Sequence, residues 1–226
     1  MHQSCPSLVL LRHWYSNFNF ELANSLLEYD HGVNLFDAPD MADYLFIGRN
    51  AEIQQMENIL LPGSDSPRRK VLVLGGMGGI GKTQLAITYT KRHGGFYSSV
   101  FWLNATSEVA LKSSLRNLAN RILPLETVNQ LDDNRLWIVV SNWLSEPNNS
   151  RWLLIYDNYD DPDQYDIAKY YPSVMHGSIV VTTRVPSRLN GTKVNVRSMS
   201  KEEESLRILS TRSEREYVES GRMYFL

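Results

Sequence analysis

Apolar residues fall along this chain in two alternating rhythms. Val71-Leu72-Val73-Leu74, Val100-Phe101-Trp102-Leu103, Trp152-Leu153-Leu154-Ile155-Tyr156 and Ser178-Ile179-Val180-Val181-Thr182-Thr183 are short, continuous apolar or β-branched runs. Runs of this length without polar alternation predict strands buried on both faces. Between them the apolar residues recur at spacings of three and four. Ile53, Met56 and Leu60 predict a helix over Ala51–Leu61, and Leu111, Leu115, Leu118 and Ile122 predict one over Ser107–Ile122. A third is predicted over Asp133–Leu144, with Trp137, Val140 and Leu144 on its buried face, and a fourth over Thr83–Arg92, capped by Gly94-Gly95. Pro62-Gly63-Ser64-Asp65-Ser66-Pro67 reads as a loop and Pro147-Asn148-Asn149-Ser150 as a break. Residues 1–40 carry no such rhythm beyond a short helical stretch at Phe20–Leu27. Apolar strands alternating with amphipathic helices predict an α/β fold: a parallel sheet with helices on both faces and right-handed crossovers. A ligand site is then expected at the carboxyl ends of the strands.

The chain has 226 residues, enough for one large α/β domain and a short appendage. Its net charge of −2 gives no basis for a bulk nucleic-acid partner or a polybasic membrane contact. Cys5 is the single cysteine, which excludes an internal disulfide and fits a reducing, cytoplasmic setting. No apolar run is long enough to span a bilayer.

The chemistry concentrates where the first of the apolar runs ends. Gly76-Met77-Gly78-Gly79-Ile80-Gly81-Lys82-Thr83 follows the strand at Val71–Leu74 directly and opens a helix. Glycine, four residues, Gly-Lys-Thr is the phosphate-loop pattern in the strand–turn–helix setting it requires, and it predicts a P-loop NTPase core. The glycines let successive amides turn inward around an anion, at the positive end of the following helix. Lys82 is placed to reach terminal phosphates, and the Thr83 hydroxyl to ligate Mg²⁺.

Three further sites follow this loop or precede it. Asp157 ends the buried run from Trp152. One acid there suits Mg²⁺, which keeps several waters and takes few protein carboxylates. Asn158 comes next, where many hydrolytic proteins with this strand carry a second acid that orients or deprotonates the attacking water. An amide takes no proton at neutral pH. Asp160 and Asp161 lie close by and read as solvated loop acids, with substitution for the missing acid as the alternative. Arg184 ends the run from Ser178, where a guanidinium can face a terminal phosphate and report its presence. Phe46-Ile47-Gly48-Arg49 lies about thirty residues before the loop and is a weak pattern alone.

In this order the four sites resemble the nucleotide-binding core of the STAND class of P-loop ATPases, and more narrowly an NB-ARC domain of the fungal type. The resemblance spans about Leu45 to Leu209. It divides the chain into an N-terminal segment (1–44), an NB-ARC-like domain (45–209) and a tail (210–226). It implies a switch that binds ADP at rest and ATP when active, with Mg²⁺, and that forms homo-oligomers in its full-length form. Ile47 and Arg49 would lie near the adenine and ribose. Gly76 belongs to the loop, and Gly78, Gly79, Gly81, Lys82, Thr83 and Gln84 would cradle the phosphates. Thr83 and Asp157 would serve the metal, and Arg184 would sense the γ-phosphate. Asp157 and Arg184 are the candidates for any catalysis.

The departures from the family pattern concern turnover and length. Asn158 replaces the second acid, so hydrolysis is expected to be slow or absent. No Gly-Leu-Pro-Leu-Ala-like segment, winged helix, His-Asp latch or repeat array follows, and the chain reads as a truncated switch core. The alternatives are a stand-alone phosphotransferase, with Arg184, Arg188 and Arg197 as lid arginines, and a non-catalytic scaffold that keeps the loop.

Overall fold

The computed structural model describes residues 35–36, 38–39, 48–61 and 68–198. Ile47 and the stretch Phe20–Leu27 lie outside them, as do the residues after Ser198. In chain order the elements are β1 (Leu35–Phe36), α1 (Asn50–Leu60), β2 (Lys70–Gly75), α2 (Lys82–His93), β3 (Ser99–Asn104), α3 (Glu108–Ile122), α4 (Leu125–Gln130), α5 (Asp133–Ser145), β4 (Trp152–Asp157), β5 (Ser178–Thr183) and β6 (Thr192–Asn195).

The strands form one sheet in the order β1-β3-β4-β5-β2-β6. Every pairing is parallel. Because side chains alternate across a strand, a fully buried run must serve two cores. Trp152, Leu154 and Tyr156 of β4 face one core with Phe101, Leu103, Ile179 and Val181. Leu153 and Ile155 face the other with Val100, Val180, Leu72 and Leu74. The first core is covered by α3, α4 and α5, the second by α1 and α2. Ile53, Met56 and Leu60 close one side, and Leu111, Leu115, Leu118 and Ile122 the other, as their spacing predicts. Capping is local: the Ser107 hydroxyl accepts from the Ala110 amide, and the Asp132 carboxylate from the Arg135 amide.

One expectation, the buried face of α5, needs correction, and Gly94 caps α2 as expected but not in a left-handed conformation. It is right-handed, with φ −55° and ψ −39°, and the chain tightens into a 3₁₀ turn over Gly94–Phe96 closed by Tyr97 N–H to the Gly94 carbonyl. On α5 the buried face is Leu136, Val139, Val140, Trp143 and Leu144. Trp137 sits at the edge of that stripe, half-buried, with its ring 6.2 Å from that of Tyr170.

The connection from β4 to β5 carries no α-helix, only a short 3₁₀ turn at Ile167–Tyr170. Tyrosines hold it instead. Tyr156 donates to the Tyr170 carbonyl, Tyr159 to the Tyr165 carbonyl at 2.6 Å, Tyr165 to the Ala105 carbonyl at 2.7 Å, and Tyr170 to Glu108 at 2.6 Å. Burial raises the pKa of each of these phenols, which keeps them neutral and donating. The loop that starts at Asn158 is thereby fixed against α3 and the sheet.

At the opposite end of the sheet Gly177 leads into β5 with φ +80°. A Cβ there would fall 2.2 Å from the Trp152 ring, and Trp152 is fully buried. Gly177→Ala combines left-handed strain with overpacking, so urea denaturation should show a loss of at least ~2 kcal/mol.

Candidate functional site

β2 lies between β5 and β6, while the chain leaving it passes through α2 to β3, which pairs with β4 beyond β5. The strand order therefore reverses beside β2, and a crevice opens at the carboxyl ends of β2, β5 and β4. The glycine loop occupies it. Gly81 is the N-cap of α2 with φ +99°, a conformation that costs a residue with a Cβ about 1–2 kcal/mol. Gly78, Gly79, Gly81, Lys82, Thr83, Gln84, Asn158 and Arg184 line a cavity of about 230 Å³. A larger cavity of about 330 Å³ opens at the amino ends of the strands, beside Trp152 and His176, and includes none of these residues.

The Lys82 ammonium curls over the loop, donating to the carbonyls of Gly76 at 2.9 Å and Met77 at 3.0 Å. Burial lowers its pKa, Asp160 and Asp157 pull it back up, and Arg184 pushes it down. It is thus a poorly hydrated cation that an arriving anion would stabilise.

Asp157 is the meeting point of three elements. Its Oδ1 accepts from the Thr83 hydroxyl at 2.8 Å and from the Thr182 hydroxyl at 2.6 Å. Thr83 opens α2 and Thr182 lies on β5, so both neighbours of the loop are tied to the end of β4. Thr182 Oγ1 also accepts from the Asn158 amide at 2.9 Å. This bond holds Asn158 in the left-handed region at φ +64°, which asparagine tolerates better than most residues. The Asn158 side chain lies 3.4 Å from Asp157 Oδ2 and borders the cavity.

Thr83 and Asp157 offer one hydroxyl and one carboxylate, which fits Mg²⁺, a cation that takes one or two protein carboxylates and fills its remaining positions with water and phosphate. No cluster of three or more His, Cys, Asp or Glu able to hold a metal occurs among the described residues.

Arg184 stands at the rim. Its backbone N–H donates to Asp160 Oδ1 at 2.7 Å and its Nε pairs with Asp160 Oδ2 at 2.8 Å. Asp160 is therefore more than a solvated loop acid, whereas Asp161 caps its own turn through Asp163 N–H and Gln164. Arg188 is engaged with Asp163 at 2.6 Å and does not line the cavity.

Arg49 does not line this cavity either. Its guanidinium donates to Glu52 and to the Ile80 carbonyl, each at 3.0 Å, and to the Arg197 carbonyl. It braces the glycine loop against the segment after β6. Gly76 likewise shapes the loop from behind: a Cβ on it would lie 2.5 Å from the Val196 carbonyl oxygen. Thr182 and Asp160 are the participants that residue type left unmarked. Their signal is positional, one residue before the end of β5 and three residues after Asp157.

The NB-ARC domain family model matches residues 49–218. The chain belongs to that family. The match begins at Arg49 and spans the loop, Asp157 and Arg184. A nucleotide-binding leucine-rich repeat (NLR)-like protein of Hyaloscypha variabilis is 27% identical over 170 residues, which is 68% of this chain and 17% of that protein. The NB-ARC chain thus spans under a fifth of that relative's length.

Among solved structures, Cdc6p of Pyrobaculum aerophilum is similar with a TM-score of 0.54 and 13% identity, over 80% of this chain and 55% of that one. Drosophila ORC bound to DNA gives 0.53 and 17%, over 75% and 48%. The ORC2 protein of Aeropyrum pernix, in ADPNP-ADP complexes, gives 0.50 and 18%, over 79% and 54%. At these identities the likeness is one of fold, the α/β P-loop core. Together with the family match it makes the chain a nucleotide-binding module of the STAND kind. No described helix is long and apolar enough to cross a membrane.

Thr182→Val removes the acceptor of the Asn158 amide and one donor to Asp157. Thermal and urea unfolding should show a loss of about 1–3 kcal/mol, and Thr182→Ser, which keeps the hydroxyl, should recover most of it.

Proposed function

We propose that this NB-ARC chain is the ADP- and ATP-binding core of a signalling switch, with slow or no ATP hydrolysis. The observation that carries the reading is one cavity lined by Lys82, Thr83 and Asn158, with the Asp157 carboxylate bonded to Thr83 and beside the Asn158 side chain. The loop amides and Lys82 would hold the phosphates, with Gly78, Gly79, Gly81 and Gln84 shaping the cradle. Thr83 and Asp157 would hold Mg²⁺, which when bound neutralises charge on the phosphate oxygens. Arg184 would face the γ-phosphate.

The slow-turnover part of the proposal rests on proton chemistry. The Asn158 carboxamide cannot accept a proton from water at neutral pH. Asp160, the next acid after Asn158 along the chain, has both carboxylate oxygens engaged by Arg184. A site that binds but hardly hydrolyses suits a switch, because the bound state then outlasts the encounter. As part of a longer cytoplasmic protein the module would oligomerise in its ATP form. The net charge of −2 gives no basis for adding a bulk nucleic-acid or polybasic membrane partner to this reading.

Calorimetric titration of the 226-residue chain should show binding of ADP and ATP, weakened about ten- to hundredfold in Lys82→Ala by loss of a charge-assisted contact. Binding indifferent to Lys82→Ala would remove the nucleotide reading and leave a scaffold. Phosphate transfer to a small molecule faster than to water would replace the switch with a phosphotransferase.

Asn158→Asp restores a proton acceptor at a backbone position that aspartate tolerates. Phosphate release should rise at least ~10-fold. An unchanged rate would mean that the missing acid is not what limits turnover.

A further inference from the structure

Arg184 and Asp160 form a contact that a phosphate could replace. The carboxylate takes both the backbone amide of Arg184, at 2.7 Å, and its Nε, at 2.8 Å. The guanidinium rests on the phosphate loop itself, since a Cβ added to Gly78 would come within 3.0 Å of Arg184 Cζ. It shares the cavity wall with Lys82 and Thr83. A carboxylate and a phosphate present a guanidinium with the same charge sign and the same pair of acceptor oxygens. The Nε edge given to one is not free for the other. The pair is also easy to break: the Arg184 side chain is 63% exposed and that of Asp160 29%, and ion pairs in water are weak.

We propose that Asp160 stands in for the terminal phosphate, holding Arg184 when no γ-phosphate is present and yielding it when ATP binds, so that Asp160 sets the preference between ADP and ATP. This rests on the adenine-nucleotide reading above. ADP, lacking the γ-phosphate, leaves the Arg184–Asp160 pair intact. ATP must exchange it for a new pair and so gains less from Arg184 than a free arginine would give. The exchange is also a signal. Asp160 belongs to the tyrosine-held loop, and its neighbour Tyr159 donates its amide to the Thr182 carbonyl at 3.0 Å. Release of Arg184 frees a charged group on the surface of a segment anchored to both β5 and the first core.

Asp160→Asn keeps an oxygen for the Arg184 amide and removes the charge. In titrations of the full chain with ADP and a non-hydrolysable ATP analogue, this variant should shift the affinity ratio about three- to fivefold towards ATP. Asp160→Glu keeps the charge and should stay within about twofold of the parent. In an Arg184→Gln background, Asp160→Asn should shift the ratio by less than about twofold, because the group being contested is gone. A ratio unmoved by Asp160→Asn overturns the proposal. So does an equal shift in the Arg184→Gln background, which would be a plain charge effect. In both cases Lys82-dependent binding leaves the nucleotide reading standing. Absence of Lys82-dependent binding of either nucleotide overturns both.

Discussion

The carboxylate of Asp157 is the constraint on which the site depends. A nearly buried carboxylate has to be satisfied by donors, and here two threonine hydroxyls from different elements share one of its oxygens. Thr83 brings the start of α2 and Thr182 the end of β5. This triangle fixes the distance between the glycine loop and the end of β4 before any ligand arrives. It also sets Asn158, because the same Thr182 oxygen receives the Asn158 amide. Cation, phosphate and water would meet groups already held in register, so little ordering remains to oppose binding.

Around that triangle the electrostatics are divided. Lys82 is drawn into the loop and faces two carboxylates at once, Asp160 and Asp157. Arg184 is the outer cation, exposed and paired with Asp160. In the proposed switch the inner cation would hold the phosphates and the outer one would respond to the γ-phosphate. Arg49, from outside the cavity, prevents the loop from relaxing by joining the Ile80 carbonyl to the segment after β6. The loop from Asn158 to His176 lacks an α-helix, and phenol hydroxyls hold it instead, tying it to β4, to the Ala105 carbonyl after β3 and to Glu108 of α3.

Much of this was legible in the residues. Continuous apolar runs announced β2, β3, β4 and β5, because a strand buried on both faces has no polar positions to spare. The phosphate loop was legible because its chemistry needs particular residues at particular spacing. β6 was not: Thr192–Asn195 has one buried residue, Val194, and its place beside β2 comes from pairing across the chain. α4 was hidden by its brevity. Trp137 was misplaced because an aromatic at the edge of a helical stripe is as apolar as one at its centre. Gly94 was legible as the cap of α2 but its right-handed conformation was not, since glycine permits either hand.

By itself the sequence determined the class of fold, the presence of a phosphate loop, the acid at the end of β4, and the amide that follows it. Those follow from local pattern and residue chemistry, which a single stretch of chain contains in full. Tertiary structure alone decided which hydroxyls satisfy Asp157, that Arg49 braces the loop from outside the cavity, and that Asp160 holds Arg184. Each of these joins residues at least 24 positions apart, brought together by a strand order in which β5 is inserted between β2 and β4. Such partners depend on packing and on the need of buried polar groups for one another, and nothing in the local pattern records that need.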